Sequence, residues 1–168
     1  MFTRRRFIGQ TIRAAMLISA GNVLQSFAPG SFELPDRKKV KLRFALASDG
    51  HFGQPGTDFN ATHATMVQWL NAEKSSRGLD FAVVNGDLFH DLPELLPQVK
   101  KAWDGLSMPY YVSHGNHDKV SEDTWKETFS YGWHHAFQQA DCGFIILNTA
   151  DTAGKYICPD ILYAEEAL

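Results

Sequence analysis

Apolar residues recur along this chain in two rhythms. Val40, Leu42, Phe44 and Leu46 alternate with Lys41, Arg43 and Ala45, the period of two that marks a strand. Met66, Val67, Trp69 and Leu70 fall at helical spacing, which predicts a helix from about Asn60 to Ser76 ended by Gly78. Phe81 to Asn85 is a short continuous apolar run, read as a buried strand. Pro93 opens a second helix in which Leu95, Leu96 and Val99 face the core, with Pro97 limiting its regularity at the start. Pro109 to Ser113 is a third strand. Ser121, followed by Glu122 and Asp123, supplies an N-cap and an acidic first turn for a helix through Phe129. Gly143 to Asn148 is a fourth strand. Strands that alternate with helices predict βαβ units, parallel pairing and an α/β fold, with ligands gathered at the carboxyl ends of the strands.

Three polar clusters follow the first three apolar runs: Asp49-Gly50-His51, Gly86-Asp87 and Gly115-Asn116-His117-Asp118. Carboxylate oxygen, imidazole nitrogen and amide oxygen together suit divalent ions such as Zn, Mn or Fe. Asp49 and His51 lie two residues apart, which in an extended segment puts both on one side of the backbone. Asp87 has two oxygens and can bridge two ions. Asn116 adds a neutral oxygen. His117, its neighbour, points elsewhere and is left to act on substrate. Gly50, Gly86 and Gly115 allow tight turns. The plainer readings are turn carboxylates for Asp49 and Asp87. His90 and Asp91 either line a substrate cleft or sit in a solvated loop. His114 reads as a pocket residue rather than a ligand, His63 as structural, and His134 and His135 as partly buried.

The ordered trio resembles the first three motifs of the calcineurin-like metallophosphoesterases, over roughly Val40 to the C-terminus. The resemblance implies a mixed β-sandwich flanked by helices and a dinuclear hydrolase of phosphate mono- or diesters that uses a bridging hydroxide. It implies two divalent or trivalent ions (Mn, Fe or Zn). Asp49 and His51 would bind the first, Asp87 would bridge, and Asn116 would bind the second. His117 would stand beside the leaving group with Asp118 as its orienting partner. The family's later strand-borne histidine and its Gly-His-x-His motif have no counterpart in this sequence. Residues 40–168 are therefore expected to be the N-terminal part of a longer enzyme, incomplete at the C-terminus. The alternative is a non-catalytic exported remnant of the same fold that acts by binding. A nucleotide-binding module is disfavoured, because no phosphate-cradling glycine loop is present.

Thr3-Arg4-Arg5-Arg6-Phe7-Ile8 resembles the twin-arginine export signal. A modestly apolar stretch follows, too polar for a comfortable membrane span. Residues 1–28 are read as a signal peptide and 29–39 as a linker. This places the protein in the periplasm or outside the cell, or anchored by an uncleaved signal, with the twin-arginine export machinery as a partner. The full chain has 168 residues, a formal net charge of −3 and 44% hydrophobic residues. That is ordinary globular composition, and it argues against a nucleic-acid footprint. Cys142 and Cys158 are too few for a disulfide framework and are read as two separate thiols.

Overall fold

The computed structural model describes residues 40–159, so residues 1–28, read above as a signal peptide, and 29–39, read as a linker, lie outside the described residues. The chain divides into Met1–Val40 and Lys41–Leu168, and the second unit carries the site. Three strands, β1 (Phe44–Ser48), β2 (Phe81–Asn85) and β3 (Tyr110–Ser113), form a parallel sheet in the order β1-β2-β3. Leu46 pairs with Val83, and Val83 with Tyr111. Between them run α1 (Phe59–Arg77) and, after a 3₁₀ turn at Pro93–Leu95, α2 (Leu96–Trp103). A third helix, α3 (Glu122–Phe129), precedes an antiparallel hairpin of β4 (His135–Gln139) and β5 (Cys142–Ile146). The result is the expected α/β architecture.

Local chemistry sets the helix boundaries. The Asp58 carboxylate accepts from Ala61 N at 3.1 Å and starts α1, and Gly78 ends it at φ 72°. Ser121 Oγ accepts from Thr124 N at 3.2 Å and starts α3, whose first turn carries Glu122 and Asp123. Ser130 ends α3 in a left-handed conformation with no glycine present.

Two expectations are corrected. The strand predicted from Val40 begins only at Phe44, and its apolar residues lie on the more open face, with Phe44 46% and Leu46 51% exposed. The fourth strand does not join the parallel sheet. It pairs antiparallel with β4, which the apolar pattern did not reveal.

The core lies where Val84, Leu88, Val99, Trp103, Val112, Trp125 and Phe129 pack together. The hairpin adds a separate aromatic layer. Phe81 is fully buried, with ring centroids 5.5 Å from Phe137 and 5.0 Å from Phe144. Burying one such phenylalanine stabilises by ~1.5–3 kcal/mol. Cys142 and Cys158 are both free thiols. Among the described residues no helix is long and apolar enough to cross a membrane.

Candidate metal centre

Each strand of the parallel sheet runs directly into one of the polar clusters. Beyond β1 and β2 the first two loops stay paired: His51 N donates to Asp87 O at 2.8 Å, and Phe52 N to Leu88 O at 3.0 Å. Asp49 (φ 57°), His51 (φ 43°) and Asp87 (φ 51°) all take left-handed conformations. The extended geometry expected for Asp49-x-His51 is therefore wrong. The two side chains converge because the backbone coils, not because it is stretched. Such conformations cost about 1 kcal/mol or more each outside glycine, and they cluster at functional sites. Of the three glycines only Gly86 uses a positive φ, 66°. Gly115 is needed for close approach instead, since a Cβ there would run into the backbone nitrogen and carboxylate of Asp87.

Asp49, His51 and Asp87 each offer one ligand atom, and these atoms all lie within 4.8 Å of one another. His51 Nε2 stands 3.7 Å from Asp87 Oδ2. Asn116 borders the same cavity of about 330 Å³ together with Asp49, Asp87 and His114. Asp49, Asp87 and Asn116 face this space, and His51 approaches the two carboxylates from outside its lining; two carboxylates, an imidazole and an amide oxygen are a donor set for a hard or borderline cation.

A second group of ring nitrogens, on His51, His90 and His117, also falls within 4.8 Å. His90 stacks on His117 with centroids 4.9 Å apart. His90 Nδ1 is 3.3 Å from His51 Nδ1, and Asp91 Oδ1 is 3.0 Å from His117 Nδ1. A cation held by His51 Nε2 would require the proton on Nδ1, where His90 Nδ1 could accept it. His90 would then carry its own proton on Nε2, 4.0 Å from Asp91 Oδ2. Asp91 also meets Lys119 Nζ at 2.8 Å. The Lys119 ammonium holds the Asp91 carboxyl below the usual carboxylate range, against the opposing effect of burial and with help from the His117 ring.

The sequence model of the calcineurin-like phosphoesterases matches residues 42–164, well over half of the chain. This chain belongs to that family. No curated protein and no solved structure gives a match.

For a calcineurin-like phosphoesterase the structure distributes the expected site residues unevenly. Asp49, His51 and Asp87 meet, and Asn116 borders their cavity. The His117 backbone is fixed by its N–H, which donates to Asp87 Oδ1 at 2.9 Å. Asp118, read from the sequence as the partner of His117, has its carboxylate elsewhere. It is fully buried and accepts from Phe89 N at 3.1 Å and Gly115 N at 2.9 Å. It thus ties the second loop to the third, and burial pushes its carboxyl up to about 7 against the pull of those N–H groups. The carboxylate that meets the His117 ring is that of Asp91.

His114 is 2% exposed and spans two loops, facing Asn148 Oδ1 at 3.1 Å through Nδ1 and the Asp118 carbonyl through Nε2. Burial lowers its pKa, opposed by both contacts. His90, whose sequence context also fits a solvated loop, packs against both His51 and His117, which themselves meet at 4.8 Å between ring centroids. His63 lies outside the cluster, buried, with Nδ1 bonded to Phe59 O at 2.8 Å. Sequence reasoning missed Asn148 and Tyr156, and it left the role of Asp91 open. The only sequence signal for Asp91 was its place in the Gly86–Asp91 loop.

Proposed function

We propose that this chain holds a cation centre for metal-dependent hydrolysis of phosphate mono- or diesters. The observation that carries this reading is the convergence of Asp49, His51 and Asp87 within 4.8 Å at adjacent strand ends. Asp49 and His51 would hold one cation, Asp87 would be shared, and Asn116 would hold a second. A bound cation pair supplies Lewis acidity toward phosphoryl oxygens and a water acidic enough to react at neutral pH.

The rest falls to the chain's own groups. Asp91 accepts the Nδ1 proton of His117, which fixes that ring's orientation and leaves Nε2 to hold or deliver a proton at the leaving oxygen. His90 Nδ1 accepts the Nδ1 proton of His51, the tautomer that leaves Nε2 of that ring unprotonated for a cation. Asp118 holds the Gly115–His117 turn against the Phe89 backbone. Export would follow from the arginine motif at Thr3–Ile8, and a reporter fusion carrying residues 1–39 tests it by its compartment.

The test of function is hydrolysis of aryl phosphate mono- and diesters by the purified chain with Mn²⁺, Zn²⁺ or Fe²⁺ added after chelation. Cation-dependent release of the aryl alcohol, lost in Asp87→Asn, is the expected result. Cation binding without turnover would favour the non-catalytic alternative. No cation binding at all would remove the hydrolytic reading.

A further inference from the structure

The segment after β5 closes the Asn116 side of the cavity. Asn148, 1% exposed, folds it. Its Oδ1 accepts from Ala150 N at 3.1 Å, and its Nδ2 donates to Ala150 O at 2.7 Å. The Asp151 carboxylate accepts from Ala153 N and Lys155 N, both at 2.9 Å, and Ile157 N donates to Thr149 O at 2.9 Å. Residues 149–157 are therefore a tight, internally bonded hairpin. It sits directly on the third cluster: at Gly154 (φ 80°) a Cβ would stand 2.5 Å from the Asn116 carbonyl oxygen. So seated, the hairpin presents Tyr156. The residue is 74% exposed, its hydroxyl donates to Asn116 Oδ1 at 3.2 Å, and it borders the cavity shared by Asp49 and Asp87.

We propose that Tyr156 is a substrate-binding residue whose hydroxyl donates to a phosphoryl oxygen bound on the Asn116 side of the cavity. The proposal rests on the phosphoester reading above and adds a residue to it. Asp49, Asp87 and the Asn116 amide oxygen bring acceptors to this space, and the Ser48 and Ser113 hydroxyls that also line it already donate to Asp49 and Asn85, whereas a phosphoryl group needs donors. Tyr156 brings one, and its present acceptor is a neutral amide oxygen. A charged phosphoryl oxygen is the stronger acceptor. A packing role does not suit a tyrosine exposed to this degree, and the built hairpin explains how an exposed ring is nonetheless aimed.

The experiment uses the full chain with Mn²⁺ present and inorganic phosphate as the probe, by titration calorimetry. Tyr156→Phe should bind phosphate about tenfold more weakly, the loss of one hydrogen bond to a charged group. KM for an aryl phosphate should rise by a similar factor, while kcat stays within about twofold and the melting temperature is unchanged. Gly154→Ala, which pushes the hairpin off Asn116, should lose at least as much phosphate affinity. Phosphate binding by Tyr156→Phe within twofold of wild type overturns the proposal. So does a weakened Mn²⁺ affinity in that variant, since Tyr156 would then act through Asn116. A wild-type chain that binds no phosphate with Mn²⁺ present overturns the phosphoester reading as well. Wild-type binding with an unaffected Tyr156→Phe removes Tyr156 alone.

Discussion

The loops at the carboxyl ends of β1, β2 and β3 and the packed layers beneath them are built on opposite terms. In the loops, four non-glycine residues (Asp49, His51, Asp87 and Asp91) have positive φ, and carboxylates face imidazoles at 3–4 Å. Beneath them, Trp125, Phe81 and Phe89 are fully buried, and Phe137 and Phe144 close on Phe81. The upper region concentrates strain and like charge. The lower one supplies the packing that tolerates both. Asp118 and His114 join the two: both are buried like core residues, yet both bond to the loop that carries Asn116 and His117. Substitutions above should therefore change chemistry with little change in stability, and substitutions below the reverse.

The largest expected effect is functional. Asp87→Asn should abolish cation binding and lower any hydrolysis by about a thousandfold, the several kcal/mol a metal centre is worth. Its apo stability should be unchanged or slightly raised, because asparagine tolerates a left-handed φ and its amide oxygen can still accept from His117 N. A large drop in melting temperature in chelator would break the comparison.

Trp125→Ala is the mirror image. It should cost ~3–5 kcal/mol in denaturant unfolding, and whatever remains folded should bind cations normally. Its indole nitrogen has no hydrogen-bond partner, so the loss is one of packing alone.

The next effect is a pH dependence that comes from below the site. His135, 6% exposed on β4, has no well-formed hydrogen bond at either ring nitrogen, and burial lowers its pKa to about 4. A folded-state value below the unfolded one of about 6.5 means that the unfolded chain binds the extra proton first. The stability conferred by neutral His135 is thus present above pH 6.5 and is lost as pH falls toward 4, by about 3 kcal/mol at most. His63 and His114 shift in the same direction, also through burial. His135→Phe keeps the stack on Tyr131, whose centroid lies 4.0 Å away. It should reduce the acid loss, seen as a flatter plot of unfolding free energy against pH. An unchanged slope would remove His135 as the source.

Asp91→Asn sharpens the division within the site. It should lower kcat by about 10–100-fold, as expected for a residue that orients another, and leave cation affinity near wild type. Equal loss of both would make Asp91 part of the cation site. The smallest effect lies at a helix end remote from chemistry. Ser121→Ala removes the cap of α3 and should cost about 1 kcal/mol with no change in cation binding.

Legibility in the sequence followed locality. Phe81–Asn85 was readable to the residue, because a strand buried on both faces is a continuous apolar run. The limits of α1 and α3 were readable from Gly78 and Ser121, whose capping bonds span at most four residues. β4 was not: His135-Ala-Phe-Gln-Gln139 has too little apolar alternation, and only its pairing with β5 makes it a strand. The metal-ligand residue types were legible from their order after three apolar runs. The partner of the His117 ring was not. Asp91 lies 26 positions away in sequence, while Asp118, the obvious neighbour, is turned toward the Phe89 backbone.

Sequence alone determined the family, the order of the three parallel strands and the helices among them, and the chemical types of ligand available at the strand ends. Each of these depends on short-range pattern, which a linear chain displays. The coiled backbone that makes Asp49 and His51 converge, the His51–His90–Asp91–His117 order of contacts and the seating of Tyr156 on Asn116 were decided by the tertiary structure. The first two follow from parallel pairing, which brings loops separated by about thirty residues to one edge of a sheet, where each loop's conformation is set by the others' hydrogen bonds; the third follows from the internally bonded segment after β5, which packs on the Asn116 loop.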